Sequence, residues 1–240
     1  MKIIERIRQK QDDLHSGRQI TVAFLGDSVT QGCFDCYEAS KDVIEPEFFP
    51  EKAYCEIFKK MLHKLYPSVP VTVVNAGISG GSAYGGMLRL DRDVLSYAPD
   101  LVVVCFGLND SNNGREGIAK YASYLKEIFR KIAESGAEII FMTPNVLNDH
   151  VSPKLSVESL RTLAESFSDR MKSGLFDEYV AAGKKVAAEC GVTVCDCYAL
   201  WKKMAANGVN VTELLANKLN HPDQDMHFLF AYELIKTIMD

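Results

Sequence analysis

Along the chain, short apolar runs alternate with stretches whose apolar residues return every three or four positions. The runs are QITVAFLG (19–26), VTVVN (71–75), LVVVCFG (101–107), EIIFMT (138–143) and VTVCD (192–196). Each is continuously apolar rather than alternating, the pattern of a strand buried on both faces. Between them, KAYCEIFKKMLHKLY spaces Ala53, Ile57, Met61 and Leu65 four apart. That spacing predicts a helix with these four on its buried face and lysines opposite. YASYLKEIFRKIAESG likewise gathers Tyr121, Leu125, Ile128, Phe129 and Ile132 into one stripe, and Gly136 supplies the stop.

Strand and helix alternating in this way predict an α/β fold of three layers, one parallel sheet with helices over both faces. No repeat, low-complexity tract or Pro/Gly/Ser-rich linker divides the chain, so a single domain over 1–240 is expected. The longest irregular stretch, PNVLNDHVSPKLS (144–156), predicts a surface loop. It should lie over the edge where such folds hold ligands, beyond the carboxyl ends of the strands.

With 240 residues, 47% of them hydrophobic, the chain can bury a sizeable core. A net charge of −5, with lysine and arginine scattered, argues against nucleic acid or an anionic membrane as partner and favours a small molecule. The opening stretch MKIIERIRQKQDDLHSGRQ mixes charge with isolated apolar residues, unlike a secretory signal, and no run approaches membrane-spanning length. A cytoplasmic location is therefore expected. Seven cysteines at irregular spacing do not read as a disulfide framework.

The chemistry lies where the apolar runs stop. The first ends at Gly26-Asp27-Ser28, the second runs into Asn75-Ala76-Gly77-Ile78-Ser79-Gly80, and the third ends at Gly107-Leu108-Asn109-Asp110. In a parallel sheet these endings share one edge. Serine needs a base to take its proton, and a tetrahedral intermediate needs donors aimed at its oxyanion. Ser28 offers the hydroxyl and its own N–H, Gly80 a second N–H open to close approach, and Asn109 a carboxamide N–H₂. Of five histidines, His15 and His63 sit in polar faces of helical patterns and His150 in the irregular loop. His221, followed by Pro222, is expected on a loop at the start of the terminal helix, free to face the sheet edge.

With these residues in view, the chain resembles the SGNH (GDSL-type) hydrolases over about residues 19–238. GDSVTQG is similar to the block that carries the family's nucleophile, at Ser28. NAGISGG and GLND are similar to the blocks that carry its oxyanion glycine and asparagine, at Gly80 and Asn109. NHPDQDMH is similar to the block that carries its base, at His221. The resemblance implies a flavodoxin-like five-stranded parallel sheet and a serine ester hydrolase acting on short acyl esters, O-acetylated carbohydrates among them, without cofactor or metal. Lysophospholipids and thioesters are alternative substrates. One position departs from the family pattern: Lys218 stands where an aspartate usually orients the histidine. A backbone carbonyl near Lys218 is the favoured substitute, giving a Ser–His dyad, with an acid elsewhere as the alternative. The same departure leaves room for a non-catalytic small-molecule binding domain on this fold.

Each residue also has a plainer reading. Ser28 could cap a helix, and Asn109 could be an ordinary turn residue. Asp27 is expected to tie down the turn rather than act as the base. The glycines from 77 to 86 form no phosphate-binding motif. His227 offers a second base but is expected one and a half turns into the final helix, in a packing role. Cys33 and Cys36 have C-x-x-C spacing, yet Cys195 and Cys197 make a poor second pair for zinc; a redox pair is the other possibility. Cys55, Cys105 and Cys190 read as small core residues, and Phe34, Tyr37 and Tyr84 either line an acyl pocket or pack.

Overall fold

The computed structural model describes residues 1–40 and 43–240. In chain order these form α1 (Lys2–Asp12), β1 (Ile20–Gly26), α2 (Ser28–Gln31), β2 (Cys33–Ser40), β3 (Val43–Phe48), α3 (Tyr54–Leu65), β4 (Val71–Gly77), α4 (Ala83–Asp93) and β5 (Leu101–Cys105). Then follow α5 (Ile118–Glu134), β6 (Glu138–Met142), α6 (Glu158–Lys172), α7 (Leu175–Glu189), β7 (Thr193–Cys195), α8 (Cys197–Ala206) and α9 (His227–Met239). Short 3-10 turns fill several of the connections.

The five apolar runs all form strands, and they pair in parallel in the order β4-β1-β5-β6-β7. This is the flavodoxin-like order, whose switch point lies between β1 and β5. Although each run is apolar throughout, its side chains still divide by face. Val22 and Phe24 of β1 join Leu101 and Val103 of β5 in the layer with α3, α8 and α9. Ala23 and Leu25 join Val102 and Val104 in the layer with α4, α5 and most of α7. Each large side chain so buried contributes about 1.5–3 kcal/mol of transfer free energy.

The stripe expected on α5 is buried at every position named for it. On α3 the expected face is rotated. Ala53 is buried, but within the helix the core takes Tyr54, Cys55, Phe58 and Leu62, while Leu65 is 49% exposed. A step of four residues overshoots a turn by about 40°, so a row spaced by four winds off the buried face. The antiparallel hairpin β2–β3 has no counterpart in the apolar pattern, because most of its residues are exposed.

The segment after β6 also differs from expectation. Residues 144–148 are buried, not a surface loop, with Val146 and Leu147 in the core. Two of their donors reach the segment that carries His221: Asn145 Nδ2 donates to Asn220 O (2.8 Å), and Asn148 N donates to Leu219 O (2.8 Å).

Candidate functional site

The carboxyl ends of β4, β1 and β5 form one rim, and Arg89 of α4 ties two of them together. Its guanidinium is buried and donates to Ala76 O (2.6 Å) and Gly26 O (2.8 Å). Beyond β1 the chain turns at once into α2. A Cβ on Gly77 would stand 2.2 Å from Gln31 N, so the end of β4 accepts α2 at this distance only with glycine there. The cap of α2 is Asp27, whose Oδ1 accepts from Val29 N (3.0 Å). Ser28 is therefore not the cap, and its hydroxyl points elsewhere.

Ser28 Oγ lies 2.9 Å from His221 Nε2, both residues being buried. Two positions 193 residues apart thus meet within hydrogen-bond distance. Asn109 reaches the same rim, its Nδ2 donating to Gly81 O (2.9 Å) and leaving a second N–H on that nitrogen. Gly80, next to Gly81, is exposed at the rim with φ +72°, and the space around its Cα is open. Only glycine takes that backbone conformation without strain.

His221 stands on a loop built from side-chain hydrogen bonds rather than on the end of a strand. Asn217 Oδ1 accepts from Leu219 N, Asn220 N and His221 N, each at 3.0 Å, and its Nδ2 donates to Asn220 Oδ1 (3.0 Å). His221 O accepts from Ala216 N (2.7 Å), and Pro222 bridges to Leu215. Asn217 is the residue that the sequence reading passed over, and its only signal is the turn-forming character of NKLNH. Pro222 does not begin the terminal helix either. Asp223 closes a turn onto Met226 N (2.9 Å), and α9 starts at His227.

His227 is thus the first residue of α9 rather than one well inside it, and its role is packing. It is fully buried, accepts from Tyr54 N through Nδ1 (3.1 Å) and lies against Phe34, ring centroids 4.6 Å apart. Burial lowers its pKa to about 3, so it stays neutral. Of the other histidines, His15 lies in the exposed turn after α1, His63 is exposed on α3, and His150 pairs with Asp149 (2.6 Å). Phe34 is buried, whereas Tyr37 bonds to Glu45 (3.0 Å) and Tyr84 packs on Tyr124, both exposed.

The substitute for the missing aspartate is not the one expected. Lys218, with φ +57°, sends its Nζ to Glu213 O (2.7 Å). His221 Nδ1 is buried and finds no hydrogen-bond partner among the described residues, neither a carbonyl near Lys218 nor an acid. Two cysteine sulfurs lie beside the ring: Cys33 Sγ, Cys36 Sγ and a ring nitrogen of His221 are all within 4.8 Å of one another. The hydrogen bond between the two thiols, with His221 alongside, holds Cys36 below its ordinary range, at about 5, and holds Cys33 above it. Cys195 and Cys197 lie elsewhere in the core, 3.8 Å apart, and Cys190 is exposed rather than buried.

Two carboxyls complete the rim. Burial raises Asp27 to about 7, against the opposing pull of its bond from Val29 N and the nearby His221. Burial likewise raises Asp110, which accepts from Ala83 N (3.0 Å), to about 6. The second oxygen of each is buried without a partner among the described residues. A protonated carboxyl there avoids the cost of a buried, half-satisfied charge.

No helix among the described residues is long and apolar enough to cross a membrane. A profile of the GDSL-like lipase/acylhydrolase family matches residues 24–228. An acetylxylan esterase of Geobacillus stearothermophilus is 32% identical over 87 residues, 36% of this chain and 38% of that one. An arylesterase of Vibrio mimicus is 35% identical over 72 residues, 30% of this chain and 36% of that one. The chain spans little more than a third of the length of these curated relatives. Among solved structures, a two-domain esterase active on acetylated mannans superposes with a TM-score of 0.68 at 19% identity, covering 99% of this chain and 52% of that one, a likeness of fold. With most of its length matched by the family profile, the chain belongs to the GDSL-like lipase/acylhydrolase family.

Proposed function

We propose that the chain, 1–240 as one domain, is a serine ester hydrolase of short acyl esters. The observation that carries this reading is the 2.9 Å contact between Ser28 Oγ and His221 Nε2 at the sheet's switch point. His221 Nε2 takes the hydroxyl proton as Oγ forms its bond to the ester carbonyl carbon. The resulting oxyanion is met by the N–H groups of Ser28 and Gly80 and by the free N–H of Asn109. The imidazolium then protonates the departing alcohol, and a water activated by the same nitrogen releases the acid. Neither cofactor nor metal enters these steps.

O-acetylated carbohydrates are the proposed substrate class. The relative named as an acetylxylan esterase and the solved esterase active on acetylated mannans support this choice. The scattered cationic residues and the free thiols fit a cytoplasmic protein with a small-molecule partner rather than nucleic acid or membrane.

The test is a panel of acyl esters varied in acid and alcohol, run beside a fluorophosphonate probe with Ser28→Ala as the blank. Labelling and turnover in the native chain, absent from Ser28→Ala, support the reading. A second reading, a binding domain for acylated ligands, is favoured by the unpartnered His221 Nδ1. It predicts a native chain that binds esters yet takes up no probe.

A further inference from the structure

The C-x-x-C pair at the start of β2 reaches the nucleophile's histidine through an irregularity in the strand. In a regular strand, residues three apart point to opposite faces. Here the β2–β3 register shifts between Cys33 and Asp35, and Cys36 N donates to Asp35 Oδ1 (2.8 Å). A bulge re-aims side chains in this way, and it accompanies the convergence of both sulfurs with a ring nitrogen of His221 inside 4.8 Å. Cys33 is buried, Cys36 half-buried and His221 only 5% exposed. Nε2 of His221 is engaged by Ser28, whereas Nδ1 is buried with no partner among the described residues. Among those residues this is the one group of three histidine, cysteine or carboxylate side chains so gathered.

We propose that Cys33, Cys36 and His221 Nδ1 bind a divalent cation of zinc's class, and that filling this site switches Ser28 off. Two thiolates and an imidazole suit a borderline-soft ion, with water as the fourth ligand of a tetrahedron. Bonds of about 2.3 Å to sulfur and about 2.0 Å to nitrogen set the donors about 3.5–3.8 Å apart, so side-chain rotation of about 1 Å closes the site. Both cysteines bind as thiolates; Cys36 already favours that form, so on binding it is the proton of Cys33 that leaves for solvent. The metal takes the Nδ1 lone pair, so the proton of the neutral ring must sit on Nε2. A nitrogen already bearing a proton cannot accept one from Ser28. The switch rests on the proposed hydrolase reading; the binding site does not.

The experiment titrates the whole reduced chain with Co²⁺ and follows thiolate-to-metal charge-transfer absorption, then displaces the cobalt with Zn²⁺. The expected result is one ion per chain, with the band lost in Cys33→Ser and in Cys36→Ser. Ser28→Ala keeps the band, and so does Cys197→Ser, which disrupts the other close thiol pair. Zinc should lower ester hydrolysis by about 10²-fold or more, the contribution of a positioned general base, and a chelator should restore it. Cys36→Ser should hold its metal-free rate when zinc is added. No band at saturation, or a band that survives loss of either thiol, overturns the site; full occupancy without inhibition overturns the switch. A chain that binds cobalt through both thiols yet hydrolyses no ester sinks the hydrolase reading and keeps the site.

Discussion

Ser28 and His221 face one another from supports of different kinds. Ser28 leaves the end of a central strand, fixed by the ladders of β1 with β4 and β5, by the Asp27 cap and by Arg89 across two strand ends. His221 stands on a loop whose backbone N–H groups converge on a single carboxamide, with Asn145 and Asn148 bracing it from the segment after β6. The order of the first region is spread over many contacts. The second concentrates its order in Asn217. A strand edge should therefore absorb damage that the loop cannot.

The largest effect expected outside the proposed reacting pair is at Asn109, which touches neither support and is the proposed oxyanion donor. Asn109→Ala should lower kcat by about 10²–10³-fold while leaving thermal unfolding close to native. Unchanged turnover in that variant would remove the carboxamide from the mechanism. Next comes the loop: Asn217→Ala strands three buried N–H groups and should cost about 1–3 kcal/mol of stability for each donor left unmet. Its turnover should fall further than its stability alone explains, read as a drop in kcat well below the melting transition. On the strand edge, Asp27→Ala removes the cap of α2 and should cost about 0.5–2 kcal/mol in denaturant titration. If it damages turnover more than Asn217→Ala does, the contrast between the two supports is wrong.

A smaller effect follows from the carboxyls of the rim. Asp27 and Asp110 keep their protons in the folded chain up to about 7 and about 6, whereas an unfolded aspartate loses its proton near 3.8. Between these values the folded state binds more protons, so their contribution to stability is greatest below the unfolded pKa and declines as pH rises through the folded ones. Asp27→Asn keeps an acceptor for Val29 N and should flatten the decline between about pH 4 and 7, measured as melting temperature against pH. The least effect belongs to Leu65→Gln at the exposed end of α3, within about 0.5 kcal/mol of native.

The same contrast explains what could be read from the residues alone. Strand endings are local: an apolar run, a glycine and a polar residue announce themselves in one stretch, and parallel pairing brings Ser28, Gly80 and Asn109 to one edge. The five runs and the α5 stripe were legible for that reason. The loop at 217–222 is made by tertiary hydrogen bonds, so Asn217 looked like a turn former and Pro222 like a helix start. Residues 144–148 look solvent-facing in the sequence because the partners of Asn145 Nδ2 and Asn148 N lie on a segment far along the chain. The spacing of Cys33 and Cys36 shows neither the strand irregularity that accompanies their convergence nor the histidine they meet.

The central claim is that the hydroxyl and the imidazole joined at 2.9 Å work as one unit. Its most direct test is kcat/KM on an acetyl ester for Ser28→Ala, His221→Ala and the double variant. Each single change should cost about 10⁴–10⁶-fold, and the double variant should be no worse than either. A His221→Ala chain that turns over near the native rate, or losses that multiply in the double variant, would contradict it.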